Sequence, residues 1–267
     1  MEHYQVILAY DGTNFHGFQR QGSSRTVQGE VEHALNQLGW QGRSILFAGR
    51  TDTGVHASGQ VVTFDLDWVH SEEKLLRALN ANLPEDVAVQ RVQTAPPQFH
   101  PRFDALARQY RYRLFCQKER DPLRERFAGR VWPEIDGMLL QKAADLFIGS
   151  HNFAAFGSPM KPGGSTARTV FRASWQREPE GIWAFQVIAN AFLYRMVRRL
   201  VFVQVRVGQQ RLSYEDIAAA ISTQTPLVAG LAKPSGLTLE KVYYDESELK
   251  AEGIKITASA SGEEDSG

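Results

Sequence analysis

Ala48-Gly49-Arg50-Thr51-Asp52-Thr53-Gly54-Val55-His56-Ala57-Ser58-Gly59-Gln60 separates two runs of strand character, Ser44 to Phe47 and Gln60 to Leu66. A hairpin connection takes about two to five residues, whereas this one has about a dozen, three of them glycine. A long loop inside a compact domain usually carries function. This one holds a single carboxylate, Asp52, with a guanidinium at Arg50 and an imidazole at His56. Glycines 49 and 54 allow a sharp bend that presents one acid into a cleft. The plainer reading is a turn whose Asp and Thr side chains cap nearby backbone donors. Local chemistry alone leaves both readings standing.

Outward from the loop, the chain reads as alternating strands and helices. Tyr4 to Tyr10 has strand character, and a glycine-punctuated loop, Asp11 to Gln19, follows it. Thr26 is placed to cap a helix with Val27, Val31, Ala34, Leu35 and Leu38 on one face. Ser71 opens a second helix with Leu75, Leu76 and Leu79 as its stripe, and Val87 to Val92 reads as a strand. The order is β-α-β-β-α-β, a ferredoxin-like unit.

Pro96-Pro97 marks a junction, after which the pattern starts again. Arg108 to Leu114 alternates, so Tyr110, Tyr112 and Leu114 share one face and Arg111 and Arg113 the other. The spacing predicts a helix over Met138 to Ile148 and a hairpin of Thr169 to Gln176 with Ile182 to Ile188. It then predicts helices over Phe192 to Val207 and Ser213 to Ile221, and a last strand over Leu237 to Tyr244. The expected fold class is α/β (α+β). It comprises an N-terminal half (1–97) with the loop 48–60 and a C-terminal half (98–245), sharing one broad sheet with a cleft between them. Beyond Tyr244 the composition turns to Ser, Gly, Glu and Ala, and 246–267 reads as an acidic, disordered tail.

Hydrophobic content of 43% and charge of 22% suit a globular domain. One cysteine, Cys116, cannot form an internal disulfide, so a reducing compartment is the default. No stretch approaches the roughly 18 apolar residues of a membrane span, and the expected location is the cytoplasm without membrane contact. Formal net charge is zero, but Asp245 to Gly267 holds seven acids against two lysines. That leaves 28 basic and 23 acidic residues, a net +5, in residues 1–244. Phe99 to Arg130 alone has nine arginines and lysines against four acids. A positive body with an acidic tail is compatible with binding phosphates.

The string Gly49-Arg50-Thr51-Asp52-x-Gly54-Val55-His56-Ala57, with Gln60, resembles the active-site signature of the tRNA pseudouridine synthase A family. Asp11 to Gln19 resembles that family's first motif, with Phe18 where a tryptophan is expected. Thr26-Val27-Gln28-Gly29-Glu30, Phe99 to Ala105, Gly149 to Phe156 and Asn190 to Arg198 are similar to further family stretches, in the family's order. The resemblance spans roughly residues 4 to 245. It implies the pseudouridine synthase fold, a mixed, mainly antiparallel sheet with helices outside. It also implies a homodimer holding tRNA, and isomerisation of uridine in the anticodon stem-loop, 3′ of the anticodon.

The family's roles fall on Asp52 as nucleophile and Tyr110 packing on the target uracil. They fall also on Arg198 pairing with the acid and Arg50 contacting phosphate near the displaced nucleotide. Without the resemblance, Tyr110 is a core tyrosine, Arg50 a surface arginine, and Arg195, Arg198 and Arg199 a solvated basic face. An aspartate is already ionised at neutral pH, so it needs positioning more than activation. The isomerisation needs no redox partner, so no cofactor is expected. Nor is a metal, since the seven histidines lack ligand spacing.

Asp52-Thr53-Gly54 is also the short signature of aspartic proteases, but those need two carboxylates sharing a proton, and the helix content opposes an all-β fold. A non-catalytic RNA-binding protein of two ferredoxin-like halves is the main alternative. The RNP1 pattern of such modules is absent.

Overall fold

A computed structural model describes residues 1–254. Contacts divide it into a first unit, Met1–Ala105 with Thr238–Tyr244, and a second, Leu106–Leu237 with the residues from Asp245 on. The segment 98–105 lies beyond the proline pair, yet it packs with the first unit, where His3 Nε2 is 3.1 Å from the Phe99 carbonyl oxygen.

In the first unit β1 (Glu2–Tyr10) alternates, burying Tyr4, Val6, Leu8 and Tyr10. It pairs antiparallel with β3 (His56–Leu66) on one side and with β4 (Val87–Thr94) on the other. The short β2 (Leu46–Phe47) lies antiparallel on β3. Two residues of β10 (Leu237–Tyr243), Thr238 and Leu239, pair in parallel with His56 and Ala57. β3 is buried at nearly every position, as a central strand should be.

Helix α1 (Val27–Gln37) starts where Thr26 Oγ1 accepts the Gly29 N–H at 3.3 Å, and it buries Val27, Val31, Ala34 and Leu35. Helix α2 (Glu72–Asn82) is capped by Ser71 and buries Leu75 and Leu79. Each of these buried valines and leucines contributes about 1.5–3 kcal/mol by leaving water. The β-α-β-β-α-β order is the one the residue pattern predicts.

In the second unit β5 (Ala107–Cys116), β9 (Ile182–Ala189), β8 (Ala167–Arg177) and β7 (Gly149–Asn152) form an antiparallel array in that order. β6 (Gly129–Val131) runs parallel to β5. Tyr110, Tyr112 and Leu114 are buried, while Arg111 and Arg113 on the other face share the Glu178 carboxylate at 2.6 and 2.7 Å. Helix α3 (Gly137–Asp145) buries Leu140, Ala143 and Ala144. Helix α4 (Met196–Gly208) buries a broad stripe in which Gln204 Oε1 accepts the Trp175 indole N–H at 2.7 Å. Helix α5 (Tyr214–Thr223) opens on a capping box of Ser213 and Asp216.

Two expectations need correction. The helix predicted from Phe192 begins at Met196, because Arg195 takes the left-handed conformation (φ 61°) and breaks the periodicity. The chain beyond Tyr244 is not a tail throughout. Residues Glu246–Ala251 form α6, capped by Asp245, with Leu249 fully buried and Ile254 5% exposed. Arg172 Nη1 meets Glu252 at 2.9 Å and its Nη2 donates to the Glu252 carbonyl. Composition hid the helix, because one leucine and one isoleucine suffice to anchor it. Residues 255–267 of the expected tail lie outside the described residues. Among the described residues no helix is long and apolar enough to cross a membrane.

Leu249 tests this packing. Leu249→Ala should lower unfolding stability by about 2–5 kcal/mol, read by urea denaturation. An unchanged midpoint would restore the disordered reading of 246–254.

Candidate active site

The loop carrying Asp52 is shorter than the sequence suggests, since β3 begins at His56. Residues 48–55 remain, and they are fastened throughout. The Ala48 N–H donates to the Val61 carbonyl at 2.9 Å. Gln60, fully buried, donates from Nε2 to the Gly49 carbonyl at 2.7 Å. The Thr51 carbonyl accepts the Phe18 N–H at 3.1 Å, and its hydroxyl lies 2.8 Å from the Tyr10 hydroxyl. The Val55 N–H donates to the Asp52 carbonyl at 3.1 Å, closing a turn with Gly54 at φ 76°. Gly54 N–H reaches the Phe15 carbonyl at 3.3 Å.

The glycine-punctuated loop after β1 is the other half of this fastening. A Cβ on Gly12 would lie 2.0 Å from the Val55 carbonyl oxygen, and one on Gly17, at φ 89°, 2.8 Å from that of Thr51. Only glycine permits either approach. The Gly12 N–H donates to His56 Nδ1 at 3.0 Å, which makes the buried imidazole a structural acceptor. Asp11 Oδ1, 3.1 Å from the same nitrogen, caps its own turn through Thr13. Phe18 is fully buried, so the aromatic exchange at this position keeps a core ring.

Asp52 is half-buried at the crest of this loop, and Arg50 is exposed two residues before it. Partial burial and then the positive charge of Arg102 push the Arg50 guanidinium below the ordinary arginine value. These two candidate residues therefore share one loop of the first unit.

Tyr110 and Arg198 belong to the second unit. Tyr110, 9% exposed on β5, meets the Phe192 ring edge-on at 5.0 Å. Arg198 lies in the first turn of α4, and its Nε donates to the Ala232 carbonyl at 2.9 Å. The Arg198 carbonyl accepts the Ala232 N–H at 3.1 Å. Arg199 donates to the carbonyls of Gly230 and Leu227. Both side chains are tied to the 227–232 segment, so a simple solvated face does not describe them.

A further group holds that segment, and no local pattern announces it. Lys233 follows Ala232, and its backbone hydrogen-bonds the phenol of the buried Tyr112. Its Nζ donates to Glu125 Oε2 at 2.7 Å, and Arg130 Nε meets Glu125 Oε1 at 3.0 Å. Glu125 is 108 residues from Lys233 in sequence, too far for any local spacing to reveal the pair.

With this geometry in place, relatives of the chain can be compared. The family profile described as tRNA pseudouridine synthase matches residues 6–104 and 143–245. Arg50, Asp52 and Arg198 fall inside the matched segments, and Tyr110 falls between them. A tRNA pseudouridine synthase A from Geobacillus sp. (strain WCH70) is 40% identical over 244 residues, covering 90% of this chain and 98% of the relative. One from Listeria welshimeri is 37% identical over 249 residues, covering 92% and 100%. One from Neisseria meningitidis is 38% identical over 248 residues, covering 92% and 93%.

Glu125 gives a pH test. The Lys233 ammonium, the Asp121 N–H and Arg130 hold its carboxyl at about 2 against an ordinary 4.5, although desolvation opposes them. A depressed folded value contributes stability that is complete above the unfolded value and is lost as pH falls through the folded one. Glu125→Gln should therefore be less stable than wild type at pH 6, and the gap should narrow as pH falls toward 3. A gap constant across that window, in urea melts, would remove Glu125 as the charged anchor of Lys233.

Proposed function

Because this chain belongs to the tRNA pseudouridine synthase family and is an isomerase of tRNA uridine, we propose that it modifies the anticodon stem-loop, 3′ of the anticodon, with Asp52 as nucleophile. The observation carrying this reading is that Asp52 is the sole carboxylate of a loop fastened along its length. A nucleophile held in place before substrate arrives spends little of the binding energy on its own ordering.

Pseudouridine formation breaks the C1′–N1 bond, turns the uracil and joins C1′ to C5. The C5 proton is lost and N1 regains one, with no net transfer of electrons. An ionised aspartate serves this sequence by bonding reversibly to the sugar or to the base. In this proposal the target base leaves its stack at a cost of a few kcal/mol, which phosphate contacts offset. Arg50 takes one such contact, and Tyr110 packs on the extruded uracil.

In this proposal Arg198 takes the family's role of cationic partner to the catalytic acid. Its place in the first turn of α4, where the helix dipole is positive, adds to the attraction for a carboxylate. The working unit is a homodimer in the cytoplasm, and each tRNA is held by both subunits.

The test is to map pseudouridine in unmodified tRNA incubated with purified protein. Wild type should place it 3′ of the anticodon. Asp52→Asn should bring isomerisation below detection while tRNA affinity changes by less than about tenfold, about 1.4 kcal/mol. Retained isomerisation by this variant would end the nucleophile assignment. Arg198→Ala should reduce turnover far more than affinity, and Arg198→Lys, which keeps the charge without the planar fork, should recover only part. Wild-type turnover in Arg198→Ala would remove the pairing.

A further inference from the structure

Phe103 is 66% exposed in the first unit, although its turn is closely hydrogen-bonded. The His100 N–H donates to Asp104 Oδ2 at 2.9 Å, and the Asp104 N–H returns to the His100 carbonyl at 3.1 Å. His100 Nδ1 accepts the N–H groups of Arg102 and Phe103 at 3.1 and 3.3 Å. From behind, the Tyr244 hydroxyl donates to the carbonyl of buried Pro101 at 2.7 Å, and the Phe99 ring meets Tyr244 edge-on at 5.0 Å. Five hydrogen bonds therefore hold a phenyl ring out toward water, where it forgoes burial.

The surroundings of the ring identify what would cover it. The His100 imidazole lies 4.2 Å from it, tilted by 37°, and burial pushes this imidazole below its ordinary value. The Arg102 guanidinium carbon is 5.6 Å from the ring centroid. Arg102 is near enough to Arg50 for its charge to disfavour a second cation there. An exposed ring with a guanidinium held against it suits a nucleobase with its phosphate, because every base has a π-face and guanidinium forks match phosphate. A protein partner fits less well. A specific protein interface needs about 1,000 Å² or more, and a single exposed ring with one guanidinium against it offers little of that.

We propose that the 100–104 turn is a stacking platform on which Phe103 receives one unpaired base of the bound RNA, other than the target uridine, while Arg102 and Arg50 face its phosphate. This rests on the RNA-modifying reading above and adds a site to it. Because Arg50 lies two residues from Asp52, the platform serves a nucleotide near the target, and it would hold the loop strand open while the target is turned out.

A series at Phe103 tests it, with transcribed tRNA as the probe and wild type run alongside. Phe103→Ala should weaken tRNA binding roughly five- to hundredfold, the range for losing one stacked base, and lower kcat/KM with it. Thermal unfolding should not move, since the ring is exposed. Phe103→Trp should restore affinity and show tryptophan emission quenched by tRNA beyond the wild-type change, whereas Phe103→Leu should stay weak. Wild-type affinity in Phe103→Ala, or full recovery by leucine, would overturn the platform. Pseudouridine formed by wild type in the same reactions keeps that outcome separate from failure of the enzymatic reading.

Discussion

The position of Asp52 depends on one constraint, the seam between the loop 48–55 and the turn that follows β1. Two glycine backbones approach its carbonyls more closely than any side chain would allow. Main-chain bonds from Phe18 and Gly54 then lock the two segments together, while Ala48 and Gln60 fasten the near end to β3. Preorganisation of this kind favours chemistry at a fixed carboxylate, because little rearrangement is left for the reaction itself.

Much of this was legible in sequence because its causes are local. Thr26 and Ser71 cap their helices as their side chains require, and the Tyr110-Tyr112-Leu114 alternation puts the three inward. What escaped the sequence was decided at a distance. The strands β6 and β7 are three and four residues long and exist only through their partners. The start of α4 turns on one left-handed residue, Arg195, that has no special composition. The Tyr10–Thr51 contact joins residues 41 apart, and α6 shows only scattered apolar positions in an acidic stretch. At the site, the fastening of Arg198 through Ala232, Lys233 and Glu125 was invisible for the same reason.

The charge pattern also resolves into distinct roles. The basic stretch from Phe99 to Arg130 suggests a phosphate-binding surface, yet Arg111 and Arg113 both pair with Glu178, and Arg130 meets Glu125. Arg124 lies over the Phe115 ring at 4.1 Å. Much of that positive charge therefore braces the second unit. Arg50 of the Asp52 loop and Arg102, whose charge acts on it, are a small local cluster, so a net charge of zero is compatible with an RNA substrate.

The central claim is that the carboxylate of Asp52 meets the substrate directly. The most direct measurement is a reaction with tRNA carrying 5-fluorouridine, in which fluorine replaces the departing C5 proton and stalls the sequence. The RNA-protein species would be digested and its peptides read by mass spectrometry. The account predicts a stalled complex whose RNA-linked peptide contains Asp52. Linkage at any other residue would contradict it, as would unhindered release of unmodified tRNA.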